Sequence, residues 1–317
     1  MDDDHEDDWK PCFELLRLVE QEDREIKPYQ EVIEILNLGD KDEEKEVKIG
    51  NNMSKEVRGK LCDLLKELRD VLAWSYQDMP SLDTDIVQHK LLLKEECPSI
   101  KQKLRRMKPE MSLMIKEEVK KKFDARFLAG AKYPQWVANI VLVPKKDGKV
   151  RMCVDYRDLN RASPKDNFPL QHIDILVDNT ARFSLFSFMD GFSGHNQIKM
   201  ASEDMEKATF ITLWGRFCYK VMPFGVKNVG ATYQRVMVTL FHDMMHRENK
   251  VYVDDMLAKS ESEDDHIVNL RKLFERLRKF KLRLNPAKCT FGVKSGKLLG
   301  FIVSEIFFLR LTQIRYE

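Results

Sequence analysis

At 317 residues, 43% hydrophobic and 33% charged, the chain is long enough for one large or two ordinary soluble domains with a real core. The formal net charge of +2 singles out no class of partner, and without a run of about 18 apolar residues or a leader-like N-terminus no membrane span or targeting segment is expected. The six cysteines, Cys12, Cys62, Cys97, Cys153, Cys218 and Cys289, form no CxxC pair, which argues for a reducing compartment and against a structural zinc.

Residues 1–50 read as a flexible acidic segment, since acidic patches and a charge-dense run at 40–48 outweigh two short apolar patches. A helix is predicted over 54–74, with Ser54 as its N-cap and Val57, Leu61, Leu64, Leu65, Leu68 and Leu72 at helical spacing. Residues 85–93 read as an extended strand. A second helix is predicted over 109–128, with Pro109 in its first turn and Met111, Met114, Ile115, Val119, Phe123 and Phe127 on one side. From Ala138 the period changes: VANIVLV and VRMCVDY flank a loop carrying Asp147-Gly148, the pattern of a hairpin. An aromatic strand over 182–189 ends at Asp190, and a helix is predicted at 229–246. Val251–Val253 and Met256–Ala258 form a tight hairpin around Asp254-Asp255. An amphipathic helix over 265–280 turns Ile267, Leu270, Leu273, Phe274 and Leu277 inward. No internal repeat, GxGxxG or P-loop occurs. The mixture of hairpins and helices suits an α+β fold, an antiparallel sheet with helices on one side.

The charge is unevenly spread. Six acids crowd the first eight residues, whereas 101–108 carry five bases, and 271–288 carry eight bases against Glu275 alone. Such a body suits a polyanion or ordinary solvated helix faces. The sharpest feature is Asp254-Asp255, with Asp190 as a third acid where another apolar strand stops. An acidic pair at a hairpin tip is commonly a solvated loop. Enclosed by apolar residues on both sides, it can instead bring hard oxygen ligands to a divalent cation. Joining a nucleotide to a primer requires activation of a 3′-hydroxyl and neutralisation of phosphate charge, which two Mg²⁺ ions about 4 Å apart can supply.

The ordered blocks YPQWVANIVLVPKKDGKVRMCVDYRDLNRASPKDNFPL (133–170), FSFMDGFSGHNQI (186–198), VMPFGVKNVGATYQR (221–235), VYVDD (251–255) and LNPAKCTFGVKSGKLLGF (284–301) resemble the reverse transcriptase of Ty3/gypsy-type long-terminal-repeat retrotransposon Pol polyproteins, in their plant-like form. The resemblance runs from about Val47 to about Ser304. It implies a right-hand polymerase fold, with a helical and extended segment over 51–132, fingers over about 133–182 and a palm over about 183–304. The tail 305–317 departs from the family, and the thumb is expected to be truncated or absent.

By this resemblance the protein is an RNA-directed DNA polymerase acting on an RNA or DNA template with primer and on dNTPs. It would work in a cytoplasmic retrotransposon particle or in the nucleus, without a membrane. Other Pol-derived domains are possible partners. Asp190, Asp254 and Asp255 would hold two Mg²⁺ ions, with Mn²⁺ as a substitute, Asp190 and Asp254 bridging and Asp255 assisting. The three should converge within metal-sharing distance. Lys145, Lys146 and Arg151 would meet the triphosphate, and Arg157 the template side, unless it is an ion-pair partner of Asp155 or Asp158. Phe192 to Gln197 would floor the sugar site, with Phe224 and Gln234 contacting substrate and Lys288 donating a proton to the leaving pyrophosphate. His195 stands where the family has an aromatic, generally Tyr, and Val226 and Val229 replace Leu and Ala. These departures leave a second reading, a folded relic that binds nucleic acid without chemistry.

Overall fold

Strict alternation along Leu185–Asp190 sets the architecture. Leu185, Ser187 and Met189 face one side of a sheet, and Phe186, Phe188 and Asp190 face the other. The computed structural model describes residues 31–39, 43–144, 150–169, 183–245, 249–298, 301–304 and 308–310. In chain order it holds β1 (Ile33–Asn37), β2 (Glu46–Gly50), α1 (Lys55–Glu67), α2 (Pro109–Asp124), β3 (Leu128–Gly130), β4 (Ile140–Pro144) and β5 (Val150–Val154). There follow α3 (Arg157–Ala162), β6 (Leu185–Asp190), β7 (Thr209–Thr212), β8 (Gly215–Tyr219), α4 (Val229–Phe241), β9 (Asn249–Tyr252) and β10 (Asp255–Ser260). The last elements are α5 (Glu263–Lys279), β11 (Thr290–Val293), β12 (Ser295–Leu298), β13 (Phe301–Ser304) and β14 (Phe308–Arg310).

The main sheet has the order β1-β2-β11-β6-β10-β9. It is antiparallel except where β11 runs parallel to β2. Its first face is covered by helices: Leu270, Leu273, Phe274 and Leu277 of α5 pack with Leu61, Leu64 and Leu65 of α1 in the principal core. Ser54, the N-cap expected from the sequence, caps α1 by accepting from Val57 N, and Ser262 caps α5 by accepting from Asp265 N. The second face is not left open. Phe186, Phe188, Leu257 and Val293 form a smaller core with Leu298 and Val303, contributed by the separate sheet β12-β13-β14. Gly296 permits this approach, because a Cβ there would lie 2.2 Å from the Phe188 ring.

Five expectations are corrected. Residues 33–37 and 46–50 are strands of the main sheet, so the loose reading of 1–50 fails for them; alternate buried residues Val47 and Ile49 anchor β2. Residues 85–93 form no strand but cross the body on individual bonds, such as His89 N to Lys199 O and Leu91 N to the Asp204 carboxylate. The first helix gives way to a 3₁₀ turn at Arg69–Val71. Helix α2 stops at Asp124, before Arg126 at φ 62°, and leaves Met114 and Phe123 about half exposed. Helix α4 ends at Phe241 instead of 246. Among the described residues no helix is long and apolar enough to cross a membrane.

Candidate active site

The antiparallel register of β6 and β10 places Asp190 directly opposite Asp255. Direct cross-strand partners project from the same face, here the one shared with Phe188 and Leu257, so two carboxylates stand side by side at one end of the sheet. Tyr252 pairs with Asp255, which leaves Val253-Asp254 as a two-residue turn. Val253 has φ 51°, a conformation that hairpins of this length usually assign to Gly. A β-branched residue is strained there, and two contacts hold it. Val253 N donates to Gln234 Oε1 at 2.7 Å, and Gly191 N donates to Asp254 O at 2.9 Å.

Lys288 closes the group from a 3₁₀ turn, Pro286–Lys288, capped by the Asn285 side chain. Its Nζ lies 2.8 Å from Asp190 Oδ2, and Asn285 N donates to Asp190 O. Burial, with the charges of Asp190 and Asp255 added, raises the Asp254 carboxyl to about 6. Burial followed by Asp190 also raises Asp255, and Lys288 partly offsets both. Asp254 Oδ1 is buried without a hydrogen-bond partner. Three crowded hard-oxygen side chains, one with an orphaned buried atom, have the donor chemistry of a divalent-cation site. They are not drawn around one point, however: among the described residues no three His, Cys, Asp or Glu side chains are grouped to hold an ion. The expected convergence is therefore absent in this arrangement, with Lys288 supplying the positive charge beside Asp190.

Beyond the acids, Gly194–Gln197 forms a 3₁₀ turn entered through Ser193 at φ 44°. Gln197 braces it, donating to Phe192 O and Arg283 O and accepting from Arg283 N. His195 is half-buried, its ring 5.6 Å from that of Phe224, which is 64% exposed at the mouth of the site. Burial first, then Lys122 and Arg151, lower His195 to about 4, so its ring is neutral at physiological pH. Arg151 is exposed on β5. Lys145 and Lys146 lie outside the described residues. Val226 is buried, and Val229 packs partly buried against the core at the start of α4.

One expected substrate contact, Gln234, is corrected, and for Arg157 the ion pair with Asp155 left open by the sequence is present. Gln234 is only 1% exposed, and its amide is spent on Val253 N and, at 3.4 Å, on Val251 O; it shapes the acidic turn and has no surface for a nucleotide. Arg157 grips Asp155 through Nε at 2.8 Å and Nη2 at 2.7 Å, joined by Arg105. That pairing, chiefly the Arg157 bonds, lowers Asp155 to about 2. Sequence reasoning missed Tyr233, whose buried ring on α4 brings its hydroxyl to the Asp254 side of Gly194. An aromatic at helical spacing signals core, and nothing in the sequence distinguishes it.

Residues 143–303 match the family model described as reverse transcriptase (RNA-dependent DNA polymerase). A retrovirus-related Pol polyprotein from transposon 297 of Drosophila melanogaster is 33% identical over 176 residues, 54% of this chain and 16% of that relative. The Pol polyprotein from transposon 412 of the same organism is 27% identical over 255 residues, covering 78% and 20%. The chain thus spans a fifth or less of these relatives. A foamy viral protease-reverse transcriptase, solved in complex with RNA/DNA hybrid, superposes with a TM-score of 0.73 at 20% identity, over 80% of this chain and 34% of that one.

Proposed function

This chain belongs to the reverse transcriptase (RNA-dependent DNA polymerase) family, and from that premise we propose that it extends a primer 3′-hydroxyl with dNTPs along an RNA or DNA template. The observation that carries the reading is the acidic corner: Asp190 opposite Asp255, and Asp254 in the intervening turn with a buried, unpartnered oxygen. Asp190, Asp254 and Asp255 would hold Mg²⁺, or Mn²⁺ in its place. Bound there, the ions would favour deprotonation of the primer hydroxyl and offset charge on the phosphates.

The protein's own part is positioning and electrostatics. Gln234 and Gly191 fix the backbone on both sides of Asp254, so the carboxylate reaches the cleft at a set height. Lys288 balances the acids before substrate arrives and stands where departing phosphate charge can draw it off Asp190. Arg151, an exposed cation on the fingers hairpin β4–β5, suits a triphosphate by the planar fork of its guanidinium. The neutral His195 ring against Phe224 presents an aromatic floor to the incoming sugar. Imidazole is smaller than the phenol usual there, so discrimination against a ribose 2′-hydroxyl should be weaker.

The test is extension of a DNA primer on an RNA template with Mg²⁺ and dNTPs, beside the Asp254→Asn protein. Extension that this change abolishes, with duplex binding retained, supports the reading. Parent-rate synthesis by the variant would remove Asp254 from the chemistry. Salt-sensitive duplex binding without extension by the parent would favour a binding fold that lacks chemistry.

A further inference from the structure

Two buried polar atoms near the acids, the Tyr233 hydroxyl and Asp254 Oδ1, share one niche: they lie close enough to interact but are not aligned in a hydrogen bond of good geometry. A Cβ built on Gly194 would lie 2.3 Å from Asp254 Oδ1, 2.5 Å from the Tyr233 hydroxyl and 2.7 Å from Tyr233 Cζ. The two oxygens therefore flank one point, above a glycine whose missing side chain makes the space. Gly191 closes the other wall, its Cβ position 3.1 Å from the same hydroxyl. Tyr233 is 1% exposed on α4, one residue before the Gln234 that holds the turn. The same helix thus addresses Asp254 twice, through the main chain of the turn and beside its carboxylate.

We propose that the Tyr233 hydroxyl is a positioning group for Asp254, donating to Oδ1 when the carboxylate is ionised and so leaving Oδ2 as the oxygen presented to a divalent cation. A buried phenol and a buried carboxylate oxygen are each costly alone, and a small rotation of either joins them into one charge-assisted bond. Without that bond the carboxylate is free to swing between niche and cleft, and each excursion removes a ligand oxygen.

This inference rests on the reading of Asp254 as a cation ligand. Its test is Tyr233→Phe, which keeps the ring and removes the oxygen, measured with the full chain in three ways. Mn²⁺ affinity, read by electron paramagnetic resonance of free Mn²⁺ without substrate, should weaken about three- to tenfold. In primer extension kcat should fall by a similar factor while the dNTP KM stays within twofold. The urea midpoint should shift on Tyr233→Phe in the parent background and not in the Asp254→Ala background, because alanine has no oxygen to accept the hydroxyl's bond. Equal midpoint shifts in both backgrounds, with unchanged Mn²⁺ affinity, would overturn the proposal and leave Tyr233 as core. Coupling between the two residues in a chain that shows no extension would keep the contact and sink the polymerase reading instead.

Discussion

Replacing Gln234 with Met keeps the side-chain length on α4 and removes the amide that the acidic turn depends on. In the native arrangement Gln234 Oε1 accepts from Val253 N at 2.7 Å, and Nε2 reaches Val251 O at the weaker distance of 3.4 Å. The short bond carries most of the effect: an enclosed N–H left without a partner costs about 1–3 kcal/mol. Val253 adds to this. At φ 51° it sits in a left-handed conformation that costs an L-residue about 1–2 kcal/mol, and the turn persists because its donors are fixed. Freed of Gln234, the turn can relax toward an unstrained geometry, which recovers part of the loss and moves Asp254, the next residue. The expected result is a net destabilisation of about 1–2 kcal/mol by urea denaturation, together with at least a tenfold drop in primer-extension kcat. A substrate-contact role predicts the opposite pattern, a raised dNTP KM with an unchanged urea midpoint. Parent-like stability and rate in Gln234→Met would refute the argument altogether.

Gly194→Ala should be worse for the site than for the fold. Its Cβ would intrude to 2.3 Å from Asp254 Oδ1 and 2.5 Å from the Tyr233 hydroxyl, an overpacking of about 1–3 kcal/mol that displaces the carboxylate. Loss of both Mn²⁺ binding and extension, with a thermal midpoint only modestly lowered, is expected; parent activity would mean that the niche is looser than its distances imply. The pH response follows from two buried imidazoles. Burial holds His89 at about 4 and His266 at about 3, below the usual 6.5, with His266 lodged between the Ser187 and Ser260 hydroxyls. From pH 6.5 down to about 4 for His89 and about 3 for His266 the unfolded chain takes up protons that the native rings refuse, so stability is full above that window and falls as the pH drops through it. At pH 5 the two sites together should cost about 4 kcal/mol relative to pH 7. A urea midpoint that does not change between those values would mean that the rings titrate normally in the fold.

The sequence by itself determined the family and most elements near the site. Helix periodicity located α1 and α5, with an N-cap serine for α1; β-branched runs around a turn located β4 and β5, an aromatic run located β6, and an acidic pair between apolar runs located the turn at Asp254. These signals are local, repeated every two or three to four residues, and survive without knowledge of what each element touches. The third acid, Asp190, was legible as the end of an apolar strand.

Only the tertiary structure decided what each side chain does there. The register of β6 against β10 made Asp255, and not Asp254, the direct neighbour of Asp190. The packing of α4 beneath the turn converted Gln234 from a candidate substrate contact into a main-chain clamp, and Arg157 closed on Asp155, one of the partners its neighbours left open. Tyr233 looked like ordinary core in the sequence, and Val47 and Ile49 lay in a segment whose charge argued for looseness. In each case the deciding partner is remote in the chain or reached through strand register, and such pairings leave no periodic trace. Burial of an amide or a phenol is a property of the assembled surface, which is why composition and spacing could find the acids but not the groups that hold them.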